Sequence, residues 1–231
     1  VSSYRTGALK RLGLDYESLH ARHPHIVWGQ INGYGDFGPI KDNPGFDTVA
    51  FWARSGAMMD LVEKDTSPVN PLIGFGDATT SCSLAGGICG GLYNKIKTGE
   101  GCKVMVSLFS QAIWSASAGI ASTQYGDIYP KTRLNPGTPV MNTYRSADNI
   151  WFYMSILEPE RYNPKLLKRL GLDGLLDNPS YSGTECRENA VEMTKVLSEE
   201  FAKYSYKDID LMLAEEDIAH ERVQSLSLIH I

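Results

Sequence analysis

The sequence has no excess of positive charge: 22 Lys and Arg stand against 27 Asp and Glu, a formal net charge of −5. Such a chain has no surplus cations to displace the counterions of a phosphate backbone, which argues against a nucleic-acid partner. No apolar run reaches the ~18 residues that a membrane-spanning helix needs, so no membrane partner is expected. The four cysteines, Cys82, Cys89, Cys102 and Cys186, contain no C-x-x-C pair, so neither a zinc knuckle nor a dithiol motif is encoded. They read as reduced, buried packing residues of a cytoplasmic protein. No G-x-S-x-G elbow surrounds Ser110 or Ser115, which removes the usual setting of a serine hydrolase. His20, His23 and His25 have no acidic partner one helical turn on; they read as solvated loop residues, and no metal site is expected. Internal repeats and low-complexity tracts are missing as well.

What is present describes an ordinary globular protein. In 231 residues, 42% are hydrophobic and 21% charged, enough apolar content for one or two domains with a real core. Periodicity predicts a short helix over Gly7–Leu19, a buried strand over Ile26–Ile31 and a glycine-punctuated loop over Gly33–Pro39. A helix follows over Asp47–Met59, then a long one from about Asp77 to Lys97 with Leu84, Ile88, Leu92 and Ile96 as one apolar stripe. Gly86, Gly87, Gly90 and Gly91 weaken that helix and imply tight packing against it, and Gly99 is placed for its C-cap. A strand over Lys103–Phe109 and a small-residue helix over Gln111–Gln124 complete an α/β alternation. The Tyr129–Pro139 loop is a linker; beyond it a strand over Ile150–Ile156 and helices over Arg161–Leu170, Glu185–Tyr204 and Lys207–Ala214 predict a second, smaller α+β domain. Domain bounds of 1–130 and 131–224 follow. The start at Val1 without Met reads as mid-domain text and predicts a fragment, and 225–231 reads as a non-native tail.

Two motifs bear on chemistry. Gly33, Gly35 and Gly38 match the dinucleotide fingerprint in letters, but Pro39 and more loop stand where a phosphate-binding helix would have to open. A tight loop at a strand's carboxyl end is the reading. Asp77 sits at a loop-to-helix junction after Gly76. It is either an N-cap, accepting backbone N–H bonds, or a nucleophilic carboxylate kept ionised by the helix terminus, with free N–H groups nearby to hold an oxyanion. Spacing alone does not choose.

Taken together, several stretches resemble the class III CoA-transferases of the CaiB/BaiF type, the group that includes formyl-CoA transferase and the α-methylacyl-CoA racemases. They are Gly7–Glu17, Ile31–Pro39, Pro44–Asp47, Ser55-Gly56, Gly76-Asp77 with its glycine-rich helix, Lys97–Gly101 and Asp177–Tyr181. Phe46–Gly56 and Ser155–Tyr162 look closest to the 2-hydroxyisocaproate and phenyllactate CoA-transferases of amino-acid-fermenting anaerobes. The resemblance implies a partial Rossmann-like large domain, Asp77 as the nucleophile, and Asp47 in a supporting role, with a helix N-cap as its alternative. Phe46, Gly76 and Gly137 are implied as substrate-binding. It also implies transfer of CoA from an acyl-CoA to a carboxylic acid, here a 2-hydroxy acid, through an aspartyl anhydride and an aspartyl-CoA thioester. Coenzyme A would be a substrate, with no permanently bound cofactor, and the full-length protein an interlocked homodimer.

Departures from the family pattern narrow this. The racemases look to carry His where Phe46 stands, and Phe46 cannot move a proton, which disfavours racemisation. The glycine-rich loop of formyl-CoA transferases shrinks here to Asn135–Pro139. Phe51, Trp52 and Tyr125 are candidates for an apolar acyl pocket or, alternatively, core packing. A non-catalytic CoA-binding or assembly subunit remains the reading from another class.

Overall fold

A computed structural model describes residues 1–228; the end of the expected tail, 229–231, lies outside the described residues. The chain is a mixture of helices and strands and divides into two compact units, one of residues 1–130 and one from Lys131 onward.

The first unit opens with two helices where one was expected, α1 (Thr6–Leu12) and α2 (Tyr16–Arg22). Gly13 ends α1 in the left-handed region at φ 65°, and the Asp15 side chain then caps α2 through the Ser18 N–H. His20 therefore lies in a helix, stacked on Tyr16, and not in a loop. Strand β1 (Val27–Asn32) pairs in parallel with β2 (Cys102–Ser107), in register from Val27 with Cys102 to Asn32 with Ser107. The expected helix over Asp47–Met59 is a π-helix (Asp47–Ala53) that runs on to a break at Gly56, φ 88°, before the short α3 (Ala57–Asp60).

The long helix α4 (Phe75–Thr98) runs between Gly74 and Gly99, both left-handed. Only part of its expected stripe is covered: Leu84 is buried, but Ile96 is 81% exposed. The glycines explain the packed face. A Cβ on Gly87 would stand 2.5 Å from Val104 Cγ1, and one on Gly91 2.6 Å from Cys102 Sγ, so the helix lies directly on β2. Gly86 and Gly90 face open space. Cys82 and Cys89 are exposed on α4, which corrects their reading as buried packing; of the four cysteines only Cys186 is buried. Helix α4 has a contrast built in: Gly87→Ala and Gly91→Ala are expected to lose about 1–3 kcal/mol to overpacking. Gly86→Ala and Gly90→Ala should each gain about 0.5–1 kcal/mol by removing backbone freedom from the unfolded chain. Urea unfolding of the four variants in the full chain checks both signs.

Strand β2 ends earlier than its periodicity suggested, because Ser107 forms a capping box with Ser110 and starts α5 (Leu108–Ser115). The small-residue helix that follows is broken at Ala116 into α5 and α6 (Ser117–Thr123).

In the second unit, β3 (Met141–Arg145), β4 (Trp151–Ser155) and β5 (Ala219–Arg222) form an antiparallel sheet in the order β3-β4-β5. Only β4 was expected from pattern; β3 and β5 are short and carry too few apolar residues to stand out. Helices α7 (Pro159–Arg169), α8 (Pro179–Ser182), α9 (Ala190–Phe201) and α10 (Tyr206–Glu215) accompany the sheet. Its core gathers Tyr144, Phe152, Leu166, Met193, Leu197 and Phe201, with Phe152 and Phe201 edge to face at 5.0 Å. Glu185, expected to start a long helix, lies instead in a separate 3-10 turn, Thr184–Arg187. Among the described residues no helix is long and apolar enough to cross a membrane, and no group of three His, Cys, Asp or Glu is placed to hold a metal ion.

Candidate active site

Three segments of the first unit converge at the carboxyl end of β1. The first is the loop after β1. Asn32 pins it: its Oδ1 accepts the Gly35 N–H at 2.7 Å and its Nδ2 donates to the Gly35 carbonyl at 3.2 Å. Gly35 and Gly38 are left-handed and no helix opens after them, so the G-x-G-x-x-G letters are a turn and not a phosphate cradle. The second is the approach to the π-helix, where Gly45 crosses Gly33 so closely that a Cβ on Gly33 would meet Gly45 Cα at 2.8 Å. The third is the start of α4.

Asp47 joins the second to the third. Its carboxylate is buried, and Oδ2 accepts the Gly74 N–H at 2.6 Å, across 27 residues of chain. It is the first residue of the π-helix, whose N-cap is Phe46, so it does not cap its own helix. It fastens the amide at the mouth of α4 instead. Its other oxygen, Oδ1, is buried without a hydrogen-bond partner. Gly76 is what allows this approach: a Cβ there would stand 2.2 Å from Asp47 Oδ1 and 2.4 Å from Phe51 Cγ. Gly76→Ala is therefore expected to cost about 1–3 kcal/mol and to displace the α4 mouth, seen as a lower unfolding midpoint together with lost activity.

Asp77 is not the N-cap of α4. That position is Gly74, at φ 84°, and Asp77 lies three residues further in. Its carboxylate is exposed, and among the described residues it accepts no hydrogen bond. The carboxyl is held above the usual range, first by partial burial and then by the nearby Asp47 charge. Both causes oppose the helix terminus, which favours the ionised form. Nor is the amide set at the helix mouth used up. The first intrahelical bond runs from the Ala78 N–H to the Gly74 carbonyl, and the Gly76 and Asp77 N–H groups have no acceptor among the described residues. Hydroxyls of Thr80 and Ser81 donate back to the Gly76 and Asp77 carbonyls at 2.6 and 2.7 Å, so the first turn is braced through its carbonyls.

Asp77, Asp47 and Phe46 line one cavity of about 770 Å³, together with Ile73, Leu108 and the cations Arg5 and Lys41. Ile73, Arg5 and Lys41 escaped the sequence reading. Ile73 carries a faint signal, an apolar residue set just before a turn glycine and the candidate carboxylate. Of the other expected residues, Gly76 forms the tight wall behind Asp47, while Gly137 belongs to the second unit, exposed and with open space where a Cβ would stand. Phe51 and Trp52 are core residues that also line a separate apolar cavity of about 530 Å³, and Tyr125 is 91% exposed.

A family model described as CoA-transferase family III matches residues 1–230. The chain is 34% identical to (R)-2-hydroxy-4-methylpentanoate CoA-transferase of Clostridioides difficile over 97% of its own length and 57% of that protein's. It is also 34% identical to cinnamoyl-CoA:phenyllactate CoA-transferase of Clostridium sporogenes, over 94% of this chain and 54% of that one. The chain thus spans a little over half the length of these curated relatives. A hypothetical protein of Mycobacterium tuberculosis shares the fold, with a TM-score of 0.84 over 99% of this chain and 61% of that one at 19% identity.

Proposed function

This chain belongs to CoA-transferase family III, and we propose that it moves CoA from an acyl-CoA to a free 2-hydroxy acid with Asp77 as the nucleophile. The observation that carries the reading is an accessible carboxylate with no hydrogen bond of its own, lining a cavity at a helix mouth where two amides have no acceptor. A carboxylate spent on capping would be a poor nucleophile; this one is free to attack.

In the proposed sequence Asp77 attacks the thioester carbon of acyl-CoA. The C–S bond breaks, CoA leaves as the thiolate, and an aspartyl-acyl anhydride remains. The thiolate then attacks the aspartyl carbonyl, releasing the first acid as a carboxylate and leaving an aspartyl-CoA thioester. An incoming acid runs the same steps backwards. Each tetrahedral intermediate carries an oxyanion, and the Gly76 and Asp77 N–H groups, which have no acceptor among the described residues, are its candidate donors. Asp47 positions the helix mouth through its bond to the Gly74 N–H. Phe46 lines the substrate side of the cavity, and Gly76 gives Asp47 the room to reach the helix mouth.

Within this reading CoA enters and leaves as a substrate, no resident cofactor or metal is needed, and the protein works in the cytoplasm as a homodimer. Residues 1–130 are part of a Rossmann-like large domain and 131–224 the small α+β domain. The 2-hydroxy acid follows the relatives' substrates, (R)-2-hydroxy-4-methylpentanoate and phenyllactate. Racemisation is the less fitting alternative, since Phe46 offers no proton-transferring group beside Asp77. The test is direct: the full chain is incubated with acyl-CoA, quenched, and digested for mass spectrometry. A CoA thioester on the Asp77 peptide, discharged by hydroxylamine, is the expected result. An unmodified Asp77 during turnover would overturn its role as the nucleophile, and CoA binding with no transfer to any acid would point to a non-catalytic subunit.

A further inference from the structure

Two large apolar side chains stand out in water beside Asp77. Phe46 is 76% exposed and Ile73 83% exposed, and both line the cavity that holds the carboxylate. They are not loose ends of the chain. Each immediately precedes one partner of the Asp47–Gly74 hydrogen bond, so the same 2.6 Å contact holds both in place. Backbone around them is bare: Gly45 precedes Phe46 and Gly74 follows Ile73, with open space where a Gly74 Cβ would be. Leu108 continues the apolar surface inward. The cavity therefore has a polar side, with the Asp77 carboxylate, and an apolar lip.

We infer that Ile73 and Phe46 form a hydrophobic clamp that selects acids with a branched or aromatic side chain, with Ile73 a specificity-determining residue. The inference rests on the transferase reading above and deepens it. A bound acid would direct its carboxyl group to the Asp77 end and lay its side chain between the two exposed residues, removing apolar surface from water on both partners. Arg5 and Lys41 line the same cavity, so a dicarboxylic acid held by a cation is the competing occupant.

The experiment measures kcat/KM in the full chain with one donor, butyryl-CoA, and three acceptors: 2-hydroxy-4-methylpentanoate, glycolate and succinate. Glycolate keeps the carboxyl and hydroxyl groups of the first acid and lacks its side chain. The wild type is expected to prefer the branched acid. Ile73→Ser should lower the ratio of branched acid to glycolate about tenfold, carried mainly by KM, and Ile73→Leu should restore it. Phe46→Ala should lower the same ratio independently. An unchanged ratio in both variants overturns the clamp and leaves the transferase reading standing, as does a wild type that prefers succinate. Transfer to none of the three acids, with no adduct on Asp77, overturns both.

Discussion

Asp77→Asn is expected to lower CoA transfer by about four orders of magnitude or more, because it deletes the proposed nucleophile and not one of several stabilising groups. The fold should be unharmed, since the Asp77 side chain makes no hydrogen bond that the amide would lose. Stability even favours the variant, and the sign follows from the raised pKa. Burial and the Asp47 charge hold the Asp77 carboxyl above its unfolded value, so the folded state binds the extra proton between the two. Stability contributed by this group is present below the unfolded value and declines as pH rises through the raised one. At neutral pH the ionised carboxylate is a cost, and Asn removes it. Thermal unfolding at pH 7 should show Asp77→Asn no less stable than the wild type, with any gain vanishing in acid. If Asp77 is the nucleophile as proposed, catalysis is expected to have the opposite slope, with transfer rising with pH as Asp77 ionises. A variant retaining more than a few per cent of wild-type transfer would overturn the assignment.

Substitutions of Asp47 should separate its two effects. Asp47→Ala orphans the Gly74 N–H, which is expected to cost about 1–3 kcal/mol. By loosening the mouth of α4 it should also lower kcat/KM about 100-fold. Asp47→Asn keeps an oxygen in place to accept that N–H but removes the charge. Its stability should stay close to wild type, and the acid limb of the transfer pH profile should move to lower pH, because one of the two causes raising the Asp77 carboxyl is gone. The pH profile of the Asn variant and urea unfolding of the Ala variant are the two measurements. An acid limb unmoved in Asp47→Asn would show that Asp47 acts on Asp77 by position alone.

How legible this was in the sequence varied with the range of the interaction. The long helix ending at Gly99, strand β1 and strand β4 follow from local pattern, since a 24-residue helix and runs of apolar β-formers declare themselves within a window. Breaks were harder. Gly13, Gly56 and Ala116 interrupt segments whose periodicity carries straight on, and a pattern of apolar residues does not reveal which glycine turns left-handed. Strands β3 and β5 exist because β4 lies between them, and nothing in their own composition demanded pairing.

By itself the sequence determined the α/β character, the placing of Asp77 next to Gly76 at a helix start, the family resemblance, and the absence of a proton-transferring group at Phe46. Only the tertiary structure decided what those residues do to one another. Asp47 could be read as a cap of its own helix, yet it reaches 27 residues along the chain to Gly74. Asp77 could be read as a cap, yet Gly74 takes that place and leaves the carboxylate free. The physical reason is that a carboxylate's role is set by which amides and charges lie within a few ångströms. Those neighbours come from the crossing of Gly33 and Gly45 and the bare backbone of Gly76, contacts between segments far apart in the chain.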